Sequence, residues 1–257
     1  MILGVSHIAM TVPDPDPVVE CLRRFGFHKD FVEKNIPNPP EKKPFVHSYS
    51  ETHTLAFMKG NLNSIGLEII QYPALQKKSN GKIKPAFDVY MQITENPSPD
   101  STDGGHSPND PVMKTFILVP STDKAGIFQI SFSSDNFEKS RDFWRGILGF
   151  HITGDSPDEM TLQPSFPMPN WQIILKIKRA EKGLLQPRKL DVPGANLVSL
   201  ITTNIVSDRE KILYHGEISL TRIFPFRVNN KNLKLCLGYS PEGQVLEFLE
   251  AESEARN

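Results

Sequence analysis

The strongest constraint on this chain is an order of elements that recurs along it. Residues 126–178 read strand, helix, strand, strand, strand. Phe128, Ile130 and Phe132 alternate with polar positions, the period of a half-buried strand. Asp135 or Asn136 then stands where a helix cap belongs. Phe137, Ser140, Phe143, Trp144, Ile147 and Leu148 follow at helical spacing, and Gly149 closes the run. Short strands are expected over 150–153, 160–163 and 172–177. One helix covers only one face of such a sheet, so the unit needs a partner to bury the other.

The same order appears twice more. Residues 2–12 alternate cleanly, Pro17 suits the first turn of a helix over 17–24, and Gly26 ends it. Strands over 27–32, 44–58 and 65–72 complete a first module, with a proline-rich loop at 35–44. The regular strand expected over 44–58 puts His47 and His53 on one half-exposed face. A further copy runs from a strand over 195–203 through a short helix over 207–213 to strands over 217–222, 232–237 and 244–249. The modules are therefore bounded at 1–75, 126–180 and 194–251, the last with a weak helix. Residues 76–125 form a connector with two extra strands, over 87–93 and 113–119, around a mobile middle at 95–110. His28 and His151 each follow the Gly-Phe that closes a helix, which supports the repeat without requiring chemistry.

Composition matters mainly for what it excludes. The formal charge is −1, the pI is near 6.7 and the basic residues are scattered. Neither nucleic acid nor an anionic membrane is expected as a partner. No apolar run reaches the ~18 residues of a membrane span, and the first residues read as a strand and not a signal peptide. Cys21 and Cys236 are far apart on apolar elements, as packing residues of a reducing, cytoplasmic compartment would be. No nucleophile elbow, phosphate-cradling glycine loop or His-Glu-x-x-His occurs.

Two stretches carry a family resemblance. NFEKSRDFWRGILGF, residues 136–150, and YSPEGQVLEFL, residues 239–249, resemble motifs of the vicinal oxygen chelate superfamily of glyoxalases, bleomycin-resistance proteins and extradiol dioxygenases. In the second stretch Ser240 and Glu242 only loosely replace the family's two acidic positions, while Pro241, Gly243 and Glu247 match. GLEIIQY, residues 66–72, repeats the final strand without the turn. The resemblance implies an α+β fold: repeated βαβββ modules forming cupped, partly open mixed β-barrels with helices outside. Three recognisable modules depart from the usual two or four. Either the strands of the connector are the remnant of a fourth, or module one pairs with a second subunit in a homodimer.

The resemblance also implies a divalent metal ion (Fe, Mn, Ni or Zn) held by the first and last strands of paired modules. Laid on that pattern, His7, Glu68, Gln129 and Glu247 are the expected metal ligands, with Glu247 a ligand or catalytic base. Two positions lack a ligand: 173–175 in module two, and Leu197 or Val198 in module three. By its neighbours alone, His7 reads more readily as a core histidine on an apolar face than as a ligand, and Gln129 as an interior polar group. A carboxylate such as Glu68, in Leu-Glu-Ile-Ile, needs either solvent or a cation. The implied function is a metal-dependent lyase, isomerase or dioxygenase acting on a small substrate with vicinal oxygens. The alternative is a metal-free resistance or sequestration protein, its cup lined from among Phe128, Phe132, Trp171, Phe224, Phe226 and Phe248. A structural protein on a catalytically dead scaffold is a third reading.

Overall fold

A computed structural model describes residues 1–60, 64–73, 75, 86–94, 116–122, 124–166, 173–181, 187–216 and 218–252. The expected mobile stretch at 95–110, and Trp171, lie outside them. The first module contains β1 (Ile2–Thr11), α1 (Pro15–Arg24), β2 (His28–Pro37), a 3-10 helix (Pro40–Phe45), β3 (Thr52–Lys59) and β4 (Gly66–Gln71). Two strands follow, β5 (Asp88–Ile93) and β6 (Phe116–Pro120). The next module has β7 (Gly126–Ser134), α2 (Phe137–Arg141), β8 (His151–Asp155), β9 (Glu159–Gln163) and β10 (Ile174–Arg179). The last has β11 (Gly194–Thr202), α3 (Ile205–His215), β12 (Phe224–Val228), β13 (Lys231–Tyr239) and β14 (Val245–Ala251).

The strands form two sheets. The eight-stranded sheet has the order β12-β13-β14-β11-β1-β4-β3-β2 and joins the first and last modules inside one chain. The six-stranded sheet has the order β6-β5-β7-β10-β9-β8. In every module the opening and closing strands run parallel, β1 with β4, β7 with β10 and β11 with β14. The pair β5 and β6 is parallel too, and β5 lies antiparallel to β7 as β1 does to β11. The connector therefore supplies the two central strands of a reduced fourth module. The larger sheet is a nearly closed barrel and the smaller a cupped half.

Local chemistry explains the helices. Asp14, Asn136 and Asn204 each accept a backbone N–H at a helix start, and Pro15 occupies the first turn of α1. Gly26 and Gly149 end their helical segments at φ +89° and +80°, where a side chain would be strained. Beyond α2 the chain widens into a π-turn over Asp142–Ile147. That widening seats Trp144 against Phe132 at 5.7 Å and Phe150 at 5.3 Å, fully buried.

Three local expectations change. The strand expected from residue 44 begins only at Thr52, because Asp191 accepts the backbone N–H groups of His47 and Ser48 at 2.8–2.9 Å. Those groups bond to a side chain and not to a neighbouring strand, so His47 is exposed and His53 is buried. The strand expected over 217–222 is reduced to a bridge between Leu220 and Gly238. Pairing resumes at β12, whose Phe224, Phe226 and Val228 turn inward from an edge that tolerates Pro225. Finally, α3 spans eleven residues, since Asn204 caps it three residues ahead of Ser207.

Two apolar clusters hold the fold. The larger packs the helices and the outer face of the barrel against the six-stranded sheet, and includes Ile8, Met10, Phe132, Trp144 and Phe248. The smaller lines the inside of the barrel, with Ala9, Leu55, Ile70, Leu197, Phe226 and Leu237. Polar residues among this second set define the site.

Candidate active site

Register brings three of the four expected ligands together. On β1, His7 lies opposite Ser199 of β11, which in turn lies beside Glu247 of β14. On the other side, Ala9 lies beside Glu68 of β4. His7 Nε2 is 3.8 Å from Glu68 Oε2 and 3.6 Å from Glu247 Oε1. Each residue comes from an opening or closing strand, and all three belong to the walls of a cavity of about 1000 Å³ inside the barrel.

The same register shows which positions correspond. The antiparallel pairs His7–Ser199 and Ala9–Leu197 exchange under the two-fold relation of the modules, so Leu197 is the counterpart of His7. Its side chain is buried in apolar company, and the barrel offers three donors where the two-fold relation of the modules would ask for four. Gln129 is not brought to the others. It sits on β7 in the six-stranded sheet, between Tyr90 and Ile174. There the position matching Glu68 is Lys176, paired with Glu159 at 3.0 Å, one residue beyond the 173–175 expected from the sequence. Asp88 and Ile117 match Leu197 and Glu247. The second cup thus has a glutamine, a lysine, an aspartate and an isoleucine in place of a ligand set.

Supporting contacts orient the three donors. His7 Nδ1 is 3.2 Å from Ser6 Oγ, and the ring meets Phe57 edge-on at 5.6 Å. Gly66, beside His7 on β4, makes room for the Phe57 ring; a Cβ there would lie 2.2 Å from it. Ser199 Oγ donates to Glu247 Oε1 at 2.9 Å. His7 Nε2 is buried and has no hydrogen-bond partner.

Burial sets the protonation of the group. Desolvation, with the Lys42 ammonium adding to it, lowers the His7 pKa to about 3, so the ring is neutral. Glu68 is pushed up to about 8, first by desolvation and then by the neighbouring Glu247 carboxylate, against an opposing pull from Lys42. Glu247 is raised by desolvation, opposed by Lys42 and by the Ser199 hydrogen bond. Two carboxylates this close share protons as a pair. Nδ1 is turned to Ser6, and Nε2 faces the two carboxyl groups without a hydrogen-bond partner.

A divalent ion suits this donor chemistry. Neutral imidazole plus two carboxylates is a set that transition metals accept, with open positions left for a substrate. Among the described residues no group of three or more His, Cys, Asp or Glu is placed so that it could hold a metal ion as it stands. Around an ion with bonds of about 2.1 Å, adjacent donors stand about 3.0–3.4 Å apart, a little closer than the separations here.

Sequence reasoning missed two residues. Lys42 comes from the 3-10 helix, is 4% exposed and lies over Phe226 with Nζ 5.0 Å from the ring centre. It sits in a proline-rich stretch that reads as a surface loop, and no local pattern marks it as interior. Ser199 looks like an ordinary small strand residue, and only its register with Glu247 reveals its part. Of the aromatic residues expected in the cup, Phe226 lines the cavity and Phe224 belongs to the barrel interior. Phe132 and Phe248 are in the larger core, and Phe128 is half-buried on the other sheet.

No protein-family model and no curated protein sequence matches this chain. Solved structures do. Glyoxalase I from Zea mays superposes with a TM-score of 0.60 at 15% identity, over 96% of this chain and 92% of that one. A Bacillus subtilis protein whose dioxygenase assignment is itself provisional superposes with a TM-score of 0.64 at 12% identity, over 98% and 86%. The parallel opening and closing strands, the paired modules and these likenesses agree: this chain has the fold of the vicinal oxygen chelate superfamily.

Proposed function

We propose that the barrel cavity is the active site of a metal-dependent lyase, isomerase or dioxygenase acting on a small substrate with vicinal oxygens. The observation that carries the reading is the buried, unpartnered His7 Nε2 facing Glu68 and Glu247 at 3.8 and 3.6 Å. A divalent ion held by His7, Glu68 and Glu247 would supply Lewis-acid polarisation of two neighbouring substrate oxygens. The chain's own part is to orient and to move protons. Glu247, steadied by Ser199, is the carboxylate we assign to take or return a substrate proton. Phe57 and Phe226 supply apolar wall beside that exchange. Burial of Cys21 and Cys236 is in keeping with a reducing, cytoplasmic compartment. Among the described residues no helix is long and apolar enough to cross a membrane.

Elemental analysis tests the proposal. After reconstitution with manganese, iron, nickel or zinc, the protein is expected to retain about one ion per chain, and His7→Ala and Glu68→Ala to weaken retention at least about tenfold. A wild-type protein that keeps no stoichiometric metal overturns it. Leu197 in place of a fourth donor favours the second reading, a metal-free binder of small apolar molecules. That reading expects ligand affinity indifferent to both substitutions.

A further inference from the structure

The lysine in the barrel has a role that the three metal-facing residues do not cover. Lys42 is nine-tenths buried, yet among the described residues no carboxylate lies within 4.0 Å of its ammonium. It is held in place from several sides. The Asp191 carboxylate anchors the backbone just beyond the 3-10 helix, Leu190 N–H donates to Phe45 O at 2.7 Å, and Arg222 pairs with Glu41 at 2.6 Å. A fixed, desolvated ammonium over an aromatic face is a prepared site for an anion.

The charge of the cavity points the same way. Its walls carry Lys42, Lys59, Lys124 and Lys231 against Asp30, Glu68 and Glu247, and Lys59 and Asp30 are paired at 2.8 Å. A divalent ion held by Glu68 and Glu247 would neutralise those carboxylates and leave the lysines in excess. Much of the remaining wall is apolar, with Phe31 and Phe57 stacked at 5.7 Å and Phe226 beneath Lys42, beside the polar Ser6, His28 and Ser64. From this juxtaposition we infer that the cavity takes an apolar organic acid, its carboxylate on Lys42 and its ring or chain against Phe57 and Phe226. The inference rests on the reading of the barrel as a small-molecule site and narrows its substrate to a monoanion.

Salicylate and salicylamide test it, since they share shape and adjacent oxygens but differ in charge near neutral pH. Calorimetric titrations use the full chain, once metal-free and once loaded with manganese. Wild type is expected to bind salicylate at least about tenfold more tightly than salicylamide. Lys42→Met abolishes that preference, and Lys42→Arg retains it. Lys42→Met, which removes a positive charge acting on Glu68 and Glu247, takes up manganese at least as well as wild type, read by electron paramagnetic resonance. Equal affinities in wild type, no salicylate binding at millimolar concentration, or a preference that survives Lys42→Met each overturn the inference. A protein that takes up no manganese but keeps a Lys42-dependent preference supports it, and removes only the metal from the site.

Discussion

Glu68 and His53 make opposite demands on pH, and their signs can be worked out one at a time. Folding raises Glu68 from 4.5 to about 8. Between those values the folded chain holds a proton that the unfolded chain releases, so stability falls as pH rises through the window, by at most about 1.4 kcal/mol per pH unit. His53 is buried between Tyr72 and Phe226, with both ring nitrogens unpartnered, and its pKa falls from 6.5 to about 2, mainly through desolvation. Between those values the unfolded chain holds the extra proton, so stability rises with pH. Thermal melts of metal-free protein should therefore lose midpoint temperature from about pH 6.5 to 8, and Glu68→Gln should flatten that limb. His53→Phe, which keeps the ring stack, should extend the stable range to lower pH. A Glu68→Gln profile parallel to wild type above pH 6.5 would contradict the assigned burial. Neither shift is readable from the residue's own neighbours in sequence, because desolvation comes from strands far along the chain.

At the level of elements, the helix of the second module is the part most legible beforehand. Asn136 does cap it, and Phe137, Ser140, Phe143, Trp144, Ile147 and Leu148 are all buried. Periodicity could not foretell the π-turn at Asp142–Ile147, because the widening answers tertiary packing. Trp144 must both stack on Phe132 and donate its indole N–H to Glu242 Oε1 at 3.1 Å. Replacing it with alanine should cost about 3–5 kcal/mol, which lowers the melting midpoint by roughly 10 °C for a chain of this size. Trp144→Phe keeps the stack but removes one of several donors around the Glu242 carboxyl, and should cost about 0.5–1.5 kcal/mol. Equal losses in the two variants, measured by calorimetry, would show that the indole hydrogen bond contributes nothing. The 3-10 helix is the opposite case. Its prolines and lysines read as a surface loop, yet Lys42 and Phe45 turn inward because Asp191 and Leu190 bind its flanks.

Across the whole molecule, the site exists only because the first and last modules meet. Strand β1 has β11 as its antiparallel partner, so a chain ended before Gly194 would expose β1 as a long apolar edge and lose Glu247 together with Ser199. Such a truncation should show no cooperative melt and no manganese uptake, by circular dichroism and electron paramagnetic resonance; a folded, metal-binding product would overturn the pairing. By itself the sequence determined the module order, the Asn136 cap and the strands that carry His7, Glu68 and Glu247, because these follow from local periodicity and turn chemistry; the caps at Asp14 and Asn204 were not read from it. It also suggested the connector strands as a reduced module. Which modules join was decided only in three dimensions. Gln129 was aligned with His7 correctly by position, yet it went to the other sheet, since strand pairing depends on which open faces can bury each other and not on any residue's neighbours. The same is true of Leu197 opposite Ala9 and of Lys42 inside the barrel: their surroundings are assembled from segments distant in the chain, and only packing brings those together.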